Sequence, residues 1–334
     1  MEKKQGSHDH SSEQESIKVS TAGTEQEVTG VDRRSFLMAG AAGAAGVAAA
    51  GLGASTASAK TIVPGKPLKT NATRGGKRVI IINDALLQVG PPLARNFARE
   101  GYNLVLAQPA EGLVKECEGY GAKVIVVPGI EQHGPKDERR PDSTQRLVDA
   151  AIKEFGGFDS AFIRTAQHMP GDIFDITADD MQLLYEGNFL AVVYALQSVL
   201  PPLMDKGAGQ VVVLTSASST QGLSDFIGYT AMRAAANTLI QGAAMTAAPK
   251  GVCVNAFGTN FLNYPDAVES YGGEEKMAAV ASNIPVGRFG EPEEMAHLAM
   301  ALLDGHNMFT TGQSFMVAGG YNMKMDSIAG LVSG

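Results

Sequence analysis

Short runs of consecutive apolar residues recur along the chain, and stretches with helical hydrophobic spacing separate them. The first run, at residues 79–82, is apolar at every position, as expected for a strand that is buried on both faces. The pattern predicts seven strands, at Val79–Ile82, Leu104–Ala107, Lys123–Val127, Phe158–Ile163, Val211–Leu214, Val252–Ala256 and Ser314–Val317. Helical spacing predicts helices at Leu93–Arg99, Thr144–Phe155, Asp179–Met204, Tyr229–Ala247 and Glu293–Leu303, the third of them broken near Pro201 and Pro202.

Strands that alternate with helices at this pace form a parallel sheet whose two faces are covered by helices. The sequence therefore predicts an α/β fold, in which a doubly wound, mostly parallel, seven-stranded Rossmann-like sheet forms a single three-layer αβα domain. Ligands of such sheets bind beyond the carboxyl ends of the strands. Ser216 follows the fifth predicted strand and Asn260 follows the sixth, so both are expected at this edge.

The start of the chain predicts an export signal. Residues 1–32 are polar and contain almost no large apolar side chain, so no core can come from them. Arg33 and Arg34 precede a weakly apolar run, rich in Ala and Gly, that ends in a small-x-small pattern at residues 57–59. This segment resembles a twin-arginine translocation signal. A membrane anchor of about 20 residues is the other interpretation of the run.

The export signal divides the chain into four predicted parts. Residues 1–59 form a polar leader with a cleaved signal peptide, and residues 60–77 form a flexible arm. Residues 78–322 form the folded domain, and residues 323–334 form a C-terminal tail. The resemblance implies a bacterial protein that is periplasmic or otherwise exported, with the twin-arginine translocase as its partner during export.

The composition argues against several classes of partner. With 27 Lys and Arg against 35 Asp and Glu, the formal net charge is −8, which offers no basic surface for nucleic acid or for an anionic membrane. The chain has two cysteines, and no His/Cys cluster has the spacing of metal ligands, so no metal ion is expected. A small molecule is the expected substrate.

Three polar residues have a recognisable spacing. Ser216 precedes Tyr229 by thirteen residues, and Arg233 follows Tyr229 by four. This set resembles the active site of the short-chain dehydrogenase/reductase superfamily, and the resemblance covers roughly residues 78–320. Nicotinamide-dependent members have Lys where this chain has Arg233. The branch that combines Ser, Tyr and Arg at this spacing is the haloalcohol dehalogenases.

The turn after the first strand departs from the superfamily. Its dinucleotide-binding members have Thr-Gly-x-x-x-Gly-x-Gly there, and of these glycines residues 83–90 retain only Gly90. A carboxylate at Asp84 would repel a pyrophosphate, and Gln88 places a side chain where the phosphates would lie. The expectation is therefore a protein without a cofactor, and NAD(P) binding is the alternative.

The loop after the sixth strand is similar to the halide-binding loop of the dehalogenases. The resemblance implies a pocket for a leaving group that consists of Gln88, Gly258, Thr259, Asn260, Phe261, Leu262 and Tyr271. Asn188, in the long helix, matches a residue that dehydrogenases use to relay protons. By the same resemblance the long helices are expected to pack against other subunits in a homodimer or homotetramer.

The resemblance implies a cofactor-independent lyase of the haloalcohol dehalogenase type. Arg233 would lower the pKa of Tyr229, Ser216 would position the substrate oxygen, and Tyr229 would remove the hydroxyl proton of a vicinal halohydrin. An epoxide would form, and the halide would leave into the pocket. One alternative is an exported, atypical NAD(P)-dependent alcohol oxidoreductase. Others are a cofactor-free dehydratase or isomerase and a non-catalytic binding protein.

Overall fold

The computed structural model describes residues 76–130, 141–165 and 167–323. The predicted leader and signal peptide, nearly all of the predicted arm and all but the first residue of the predicted tail lie outside these residues. Seven strands are β1 (Val79–Ile82), β2 (Asn103–Leu106), β3 (Val124–Val126), β4 (Ser160–Arg164), β5 (Gly209–Ser216), β6 (Val252–Thr259) and β7 (Ser314–Val317).

Helices cover both faces of the sheet. They are α1 (Gly90–Arg99), α2 (Leu113–Gly119), α3 (Ser143–Phe155), α4 (Ala178–Tyr185), α5 (Ala191–Lys206), α6 (Ile227–Ala247), α7 (Ala267–Ser270), α8 (Glu274–Ser282) and α9 (Pro292–Leu303). A π-helical turn at Glu186–Leu190 joins α4 to α5.

The strands form one parallel sheet in the order β3-β2-β1-β4-β5-β6-β7. Strand β1 pairs with β2 on one side and with the central strand β4 on the other, so that Ile80 lies opposite Leu104 and Ser160. The strand order reverses at this point, which opens a crevice at the carboxyl edge between β1 and β4. The predicted doubly wound, seven-stranded α/β fold is confirmed.

Alternation along β1 supplies two separate cores. Ile80 and Ile82 contribute to the core under α1 and α9, while Val79 and Ile81 contribute to the core under α3, α5 and α6. All four side chains are fully buried because helices cover both faces of the sheet. The segment Ala178–Lys206 is long and apolar enough to cross a membrane, but six of its apolar residues are buried in the second core: Val192, Ala195, Leu196, Val199, Leu200 and Leu203.

The long helix is not broken at its prolines, contrary to the prediction. Pro201 and Pro202 lie inside α5, which continues to Lys206. A proline removes an N–H donor and disfavours a helix interior, but Val199 and Leu203 are buried against the sheet on either side of the pair. The irregularity lies upstream instead, at the π-helical turn, where Asn188 is completely buried.

Truncation of Phe162 should show how much the central sheet depends on packing. This ring is fully buried on β4, so Phe162→Ala is expected to reduce the free energy of unfolding by about 3–5 kcal/mol. Phe309→Ala is the matched control, because Phe309 is 101% exposed and loses no packing. Denaturant unfolding of both variants checks the difference, and equal losses would contradict the assignment of the core.

Candidate active site

Ser216 is held at the carboxyl edge of the sheet because it is the last residue of β5. Its hydroxyl lies 2.7 Å from the Ser218 hydroxyl and accepts a hydrogen bond from the backbone N–H of Ser218 at 3.2 Å. It also lies 3.5 Å from the backbone carbonyl oxygen of Thr259, the last residue of β6. Two strand ends and a short turn therefore fix the Ser216 hydroxyl.

Tyr229 lies in the first turn of α6, and the preceding glycine allows α6 to approach its neighbours. A Cβ atom on Gly228 would lie 2.5 Å from Cδ1 of Ile176 and 2.7 Å from Cδ1 of Leu184. Such distances are too short for non-bonded carbon atoms, so a larger residue would displace the ends of these two side chains. Tyr229 itself lines a cavity together with Ser216 and Thr259, the last residues of β5 and β6.

Arg233 lies one turn after Tyr229, and its side chain is buried. Its Cζ atom is 5.4 Å from the centroid of the Tyr229 ring. Its guanidinium donates hydrogen bonds to the hydroxyl of Thr165, at 3.1 Å, and to the backbone carbonyl of Thr165. The contacts with Thr165, directly after β4, fix the cation beside the tyrosine.

The environment lowers the pKa of Tyr229 below its ordinary value. Burial on its own raises this pKa, but the charge of Arg233 and hydrogen bonds with Ser216 and Arg233 outweigh burial, and Arg164 adds a smaller contribution in the same direction. Ser216 and Arg233, which the sequence spacing singled out together with Tyr229, therefore both stabilise the Tyr229 phenolate.

These residues line a cavity of about 680 Å³ at the carboxyl edge of β4, β5 and β6. Of the predicted pocket residues, six line the same cavity: Gln88, Thr259, Asn260, Phe261, Leu262 and Tyr271. Gly258 does not line it, because it lies within β6 and faces Ser216 and Met316. Most of the set predicted from distant parts of the sequence is thus assembled around one space.

Asn188 does not line the cavity either. Its amide donates to the backbone carbonyls of Gln167 and Leu184 and accepts from the backbone N–H of Gln167. It therefore fastens the segment after β4 to the π-helical turn, and a role in proton relay stays a prediction.

Three aromatic residues, Phe261, Tyr271 and Tyr321, form an aromatic wall along part of the cavity. The ring of Phe261 packs at 4.7 Å from Tyr321, 6.2 Å from Tyr271 and 5.9 Å from Phe289. Phe261 has a φ of 46°, an uncommon conformation for a bulky residue, so the wall is held at some cost in backbone strain. The rings meet at interplanar angles of 47–82°, so the wall offers apolar ring edges and faces to a ligand in the cavity.

His168 is a cavity residue that the sequence reasoning missed. Its ring lies 5.0 Å from the Tyr229 ring, nearly edge-on, and 4.8 Å from the Phe226 ring. Burial, followed by the charge of Arg233, lowers the pKa of His168, so the imidazole is neutral at neutral pH. The signal that could have found it is its position four residues beyond a buried strand end.

Arg164 is another cavity residue that the sequence reasoning did not place in the site. It is the last residue of β4, and its guanidinium donates to the carboxylate of Asp84 at 2.6 Å and to the side-chain oxygen of Gln88 at 3.4 Å. Burial lowers the pKa of Arg164, and the ion pair with Asp84 opposes that effect. Charged residues of opposite sign at the ends of two adjacent predicted strands were the available signal.

The turn after β1 has one residue in a glycine-like conformation, Gln88, and one glycine, Gly90. Gln88 has a φ of 52°, the left-handed conformation that favours glycine. Gly90 is required by packing, because a Cβ atom there would lie 2.0 Å from the backbone oxygen of Asp84. Asp84 is completely buried. Its carboxylate accepts hydrogen bonds from the backbone N–H groups of Leu86, at 3.0 Å, and Leu87, at 3.2 Å.

A family model described as enoyl-(acyl carrier protein) reductase matches residues 89–322. The chain belongs to this family of short-chain dehydrogenases/reductases. A cyclohexanol dehydrogenase of Acinetobacter sp. is 24% identical over 263 residues, which are 77% of this chain and 99% of that protein. A glucose 1-dehydrogenase of Gluconobacter oxydans is 27% identical over 254 residues, 75% of this chain and 94% of that protein.

Solved structures agree with the fold. An acetoin dehydrogenase from Enterobacter cloacae is 20% identical, covers 76% of this chain and 98% of its own, and superposes with a TM-score of 0.65. A 7α-hydroxysteroid dehydrogenase solved with NADH and a 7-oxo bile acid is 23% identical, covers 73% of this chain and 93% of its own, and also gives 0.65.

These relatives overturn two expectations. The predicted haloalcohol dehalogenase-type lyase is wrong, and so is the predicted absence of a cofactor, because the similar proteins are dehydrogenases and one was solved with NADH. The physical reason is that a lowered tyrosine pKa serves both chemistries. An arginine supplies the same positive charge to Tyr229 as a lysine would.

The two ends of the site differ in how well they fit a nicotinamide dinucleotide. At the end that holds Tyr229, the tyrosine and the aromatic wall around Phe261 line one cavity of about 680 Å³, which leaves room for a nicotinamide ring. At the turn after β1, the backbone N–H groups of Leu86 and Leu87 are already bonded to Asp84. The turn as it stands therefore does not fit a pyrophosphate.

Proposed function

We propose that the protein is an oxidoreductase that interconverts an alcohol and the corresponding carbonyl compound, with a nicotinamide dinucleotide as redox partner. The observation that carries the proposal is the assembly of Ser216, Tyr229 and Arg233 around one cavity in a chain of this family. The dehydrogenase names of the relatives support the same reaction class.

The residues of the chain account for the proton at the substrate oxygen. Ser216 donates a hydrogen bond to that oxygen and fixes its position. Tyr229, as the phenolate, accepts the hydroxyl proton during oxidation, and as the phenol it returns the proton during reduction. Arg233 stabilises the phenolate. The nicotinamide, when bound, would supply the hydride chemistry.

The proposal is tested by assaying the purified full-length protein with NAD+ and NADP+ against a panel of secondary alcohols, following formation of the reduced nicotinamide. Cyclic and acyclic alcohols are both included, because the wall of Phe261, Tyr271 and Tyr321 suits a ring. Oxidation that depends on both alcohol and dinucleotide is the expected result. Conversion of an alcohol without any dinucleotide would contradict the proposal. So would a lack of oxidation with both NAD+ and NADP+.

We also propose that the protein is exported by the twin-arginine route, as the segment around Arg33 and Arg34 suggests. Conversion of both arginines to lysine preserves the charge but removes the paired motif, and is expected to keep the protein in the cytoplasm. Cell fractionation with immunodetection measures this. Lys3 and Lys4, both changed to arginine, are the matched control, and equal export of the two variants would refute the route.

A further inference from the structure

The turn after β1 is the place where this chain and its family disagree. In dinucleotide-binding sheets of this kind, the backbone N–H groups of this turn and the helix that follows hold the cofactor's phosphates. Here the carboxylate of Asp84 accepts from two N–H groups of the turn, those of Leu86 and Leu87. A carboxylate of the protein itself thus lies where a phosphate would be expected to bind.

Arg164 holds that carboxylate from the other side. Asn83 joins the ends of β1 and β4, since its side-chain oxygen accepts from the backbone N–H of Arg164 at 2.7 Å and its amide donates to the carbonyl of the same residue at 3.0 Å. The Arg164 side chain then reaches Asp84 and Gln88, and it lines the catalytic cavity. It lies in the crevice between the turn and the catalytic tyrosine.

The chemistry of arginine makes an exchange of partners feasible. A guanidinium binds phosphate and carboxylate with the same planar, charge-assisted geometry, and phosphate carries more negative charge. A pyrophosphate approaching this turn meets repulsion from Asp84 and attraction from Arg164. Displacement of the carboxylate would release both the guanidinium and the N–H groups of Leu86 and Leu87 for the incoming oxygens.

We propose that Arg164 is the phosphate-binding residue of this chain and that Asp84 is its internal competitor. The cofactor's pyrophosphate binds only by displacing the Asp84 carboxylate from Arg164 and from the two backbone N–H groups. The inference rests on the proposed function, because it presupposes a dinucleotide. Its consequence is that the wild-type protein gains little affinity from the phosphates of a free dinucleotide.

Binding of NADH and NADPH to the full-length protein, measured by titration calorimetry at fixed ionic strength, tests the competition. Asp84→Asn keeps the shape and a side-chain oxygen for the N–H groups but removes the charge, and is expected to bind at least about tenfold more tightly. Asp225→Asn is the matched control, since Asp225 lines the same cavity but belongs to the segment before α6 rather than to the turn. The same gain from both variants, or none from Asp84→Asn, would overturn the competition.

The role of Arg164 is tested in the same background. Asp84→Asn with Arg164→Gln carries no charge at the pair, so it avoids leaving a buried charge without its partner. It is expected to bind the dinucleotide at least about tenfold more weakly than Asp84→Asn alone. Equal affinity of these two variants would show that Arg164 does not bind the phosphates.

A comparison of two ligands on the wild-type protein tests the same inference without any substitution that could disturb folding. Reduced nicotinamide mononucleotide lacks the adenylate half and the pyrophosphate link, and it is expected to bind within about threefold of NADH. If NADH instead binds about a hundredfold more tightly than the mononucleotide, the inference that Asp84 blocks the phosphate site is wrong, while the proposed oxidoreductase function stands. Failure of every variant to bind any of these nucleotides would instead remove the proposed function, and the inference with it.

Discussion

Replacing Tyr229 by phenylalanine is expected to lower kcat for alcohol oxidation by about 10²–10⁴-fold, the usual contribution of a positioned acid–base group. The change removes only the phenolic oxygen, and the ring that packs on His168 remains. Because the lost group acts on the reacting proton rather than on substrate binding, KM should change much less than kcat. Steady-state kinetics with a substrate identified in the panel measures both parameters.

Two controls separate chemistry from structure in this experiment. Tyr120→Phe removes the same atom at the exposed end of α2, where the hydroxyl contacts only Arg99 and Glu116 among the described residues, and should leave kcat unchanged. The melting temperature of Tyr229→Phe should stay close to that of the wild type. A Tyr229→Phe variant that retains more than about a tenth of the wild-type kcat would remove Tyr229 as the acid–base group.

The sheet could be predicted because hydrophobic runs report burial directly. Val79–Ile82 and Ser314–Val317 were predicted with the bounds that the structure has. By contrast, β5 and β6 extend to Ser216 and Thr259, beyond their predicted ends, because polar residues at the carboxyl edge still pair with the neighbouring strand. The hydrophobic pattern alone therefore does not show where a strand ends when its last residues belong to the site.

The proximity of Ser216, Tyr229 and Arg233 could be predicted from the sequence, but the residues around them could be predicted only in part. Ser216, Tyr229 and Arg233 have a spacing along one strand–helix unit, so the sequence carries their relation. The ion pair of Asp84 with Arg164 joins residues 80 positions apart, and only the adjacency of β1 and β4 brings them together. The sequence reasoning saw the carboxylate as repelling a phosphate but could not see its partner.

The reaction was predicted wrongly, although most of the residues chosen for it line one cavity. The substitution of arginine for lysine at Arg233 was weighed as the sign of a lost cofactor, but a cation at that position acts first on Tyr229. The altered turn around Asp84 strengthened the same error, because loss of glycines was equated with loss of the ligand. From the sequence alone, a turn that opens to bind a phosphate cannot be told apart from a turn that has lost its phosphate site.

Removal of the positive charge at Arg233 is expected to move the pH dependence of the reaction. Oxidation requires the Tyr229 phenolate, so kcat/KM should rise with pH through the pKa of Tyr229, which lies below its ordinary value in the wild type. In Arg233→Met the burial that raises this pKa persists while the main opposing charge is gone. The pKa should therefore rise, and at pH values below it the rate of oxidation should fall about tenfold for each pH unit.

Two comparisons make this prediction specific to charge. Arg233→Lys restores a cation beside Tyr229, so its pH profile should lie much closer to that of the wild type than the profile of Arg233→Met does. The reduction of the carbonyl compound requires the protonated phenol, so the same Arg233→Met variant should remain active to higher pH in that direction. Profiles of kcat/KM in both directions measure the shift. Opposite movements follow only if one titrating group, Tyr229, exchanges the proton with the substrate, and an unchanged acid limb in Arg233→Met would show that the arginine acts only through its contacts with Thr165.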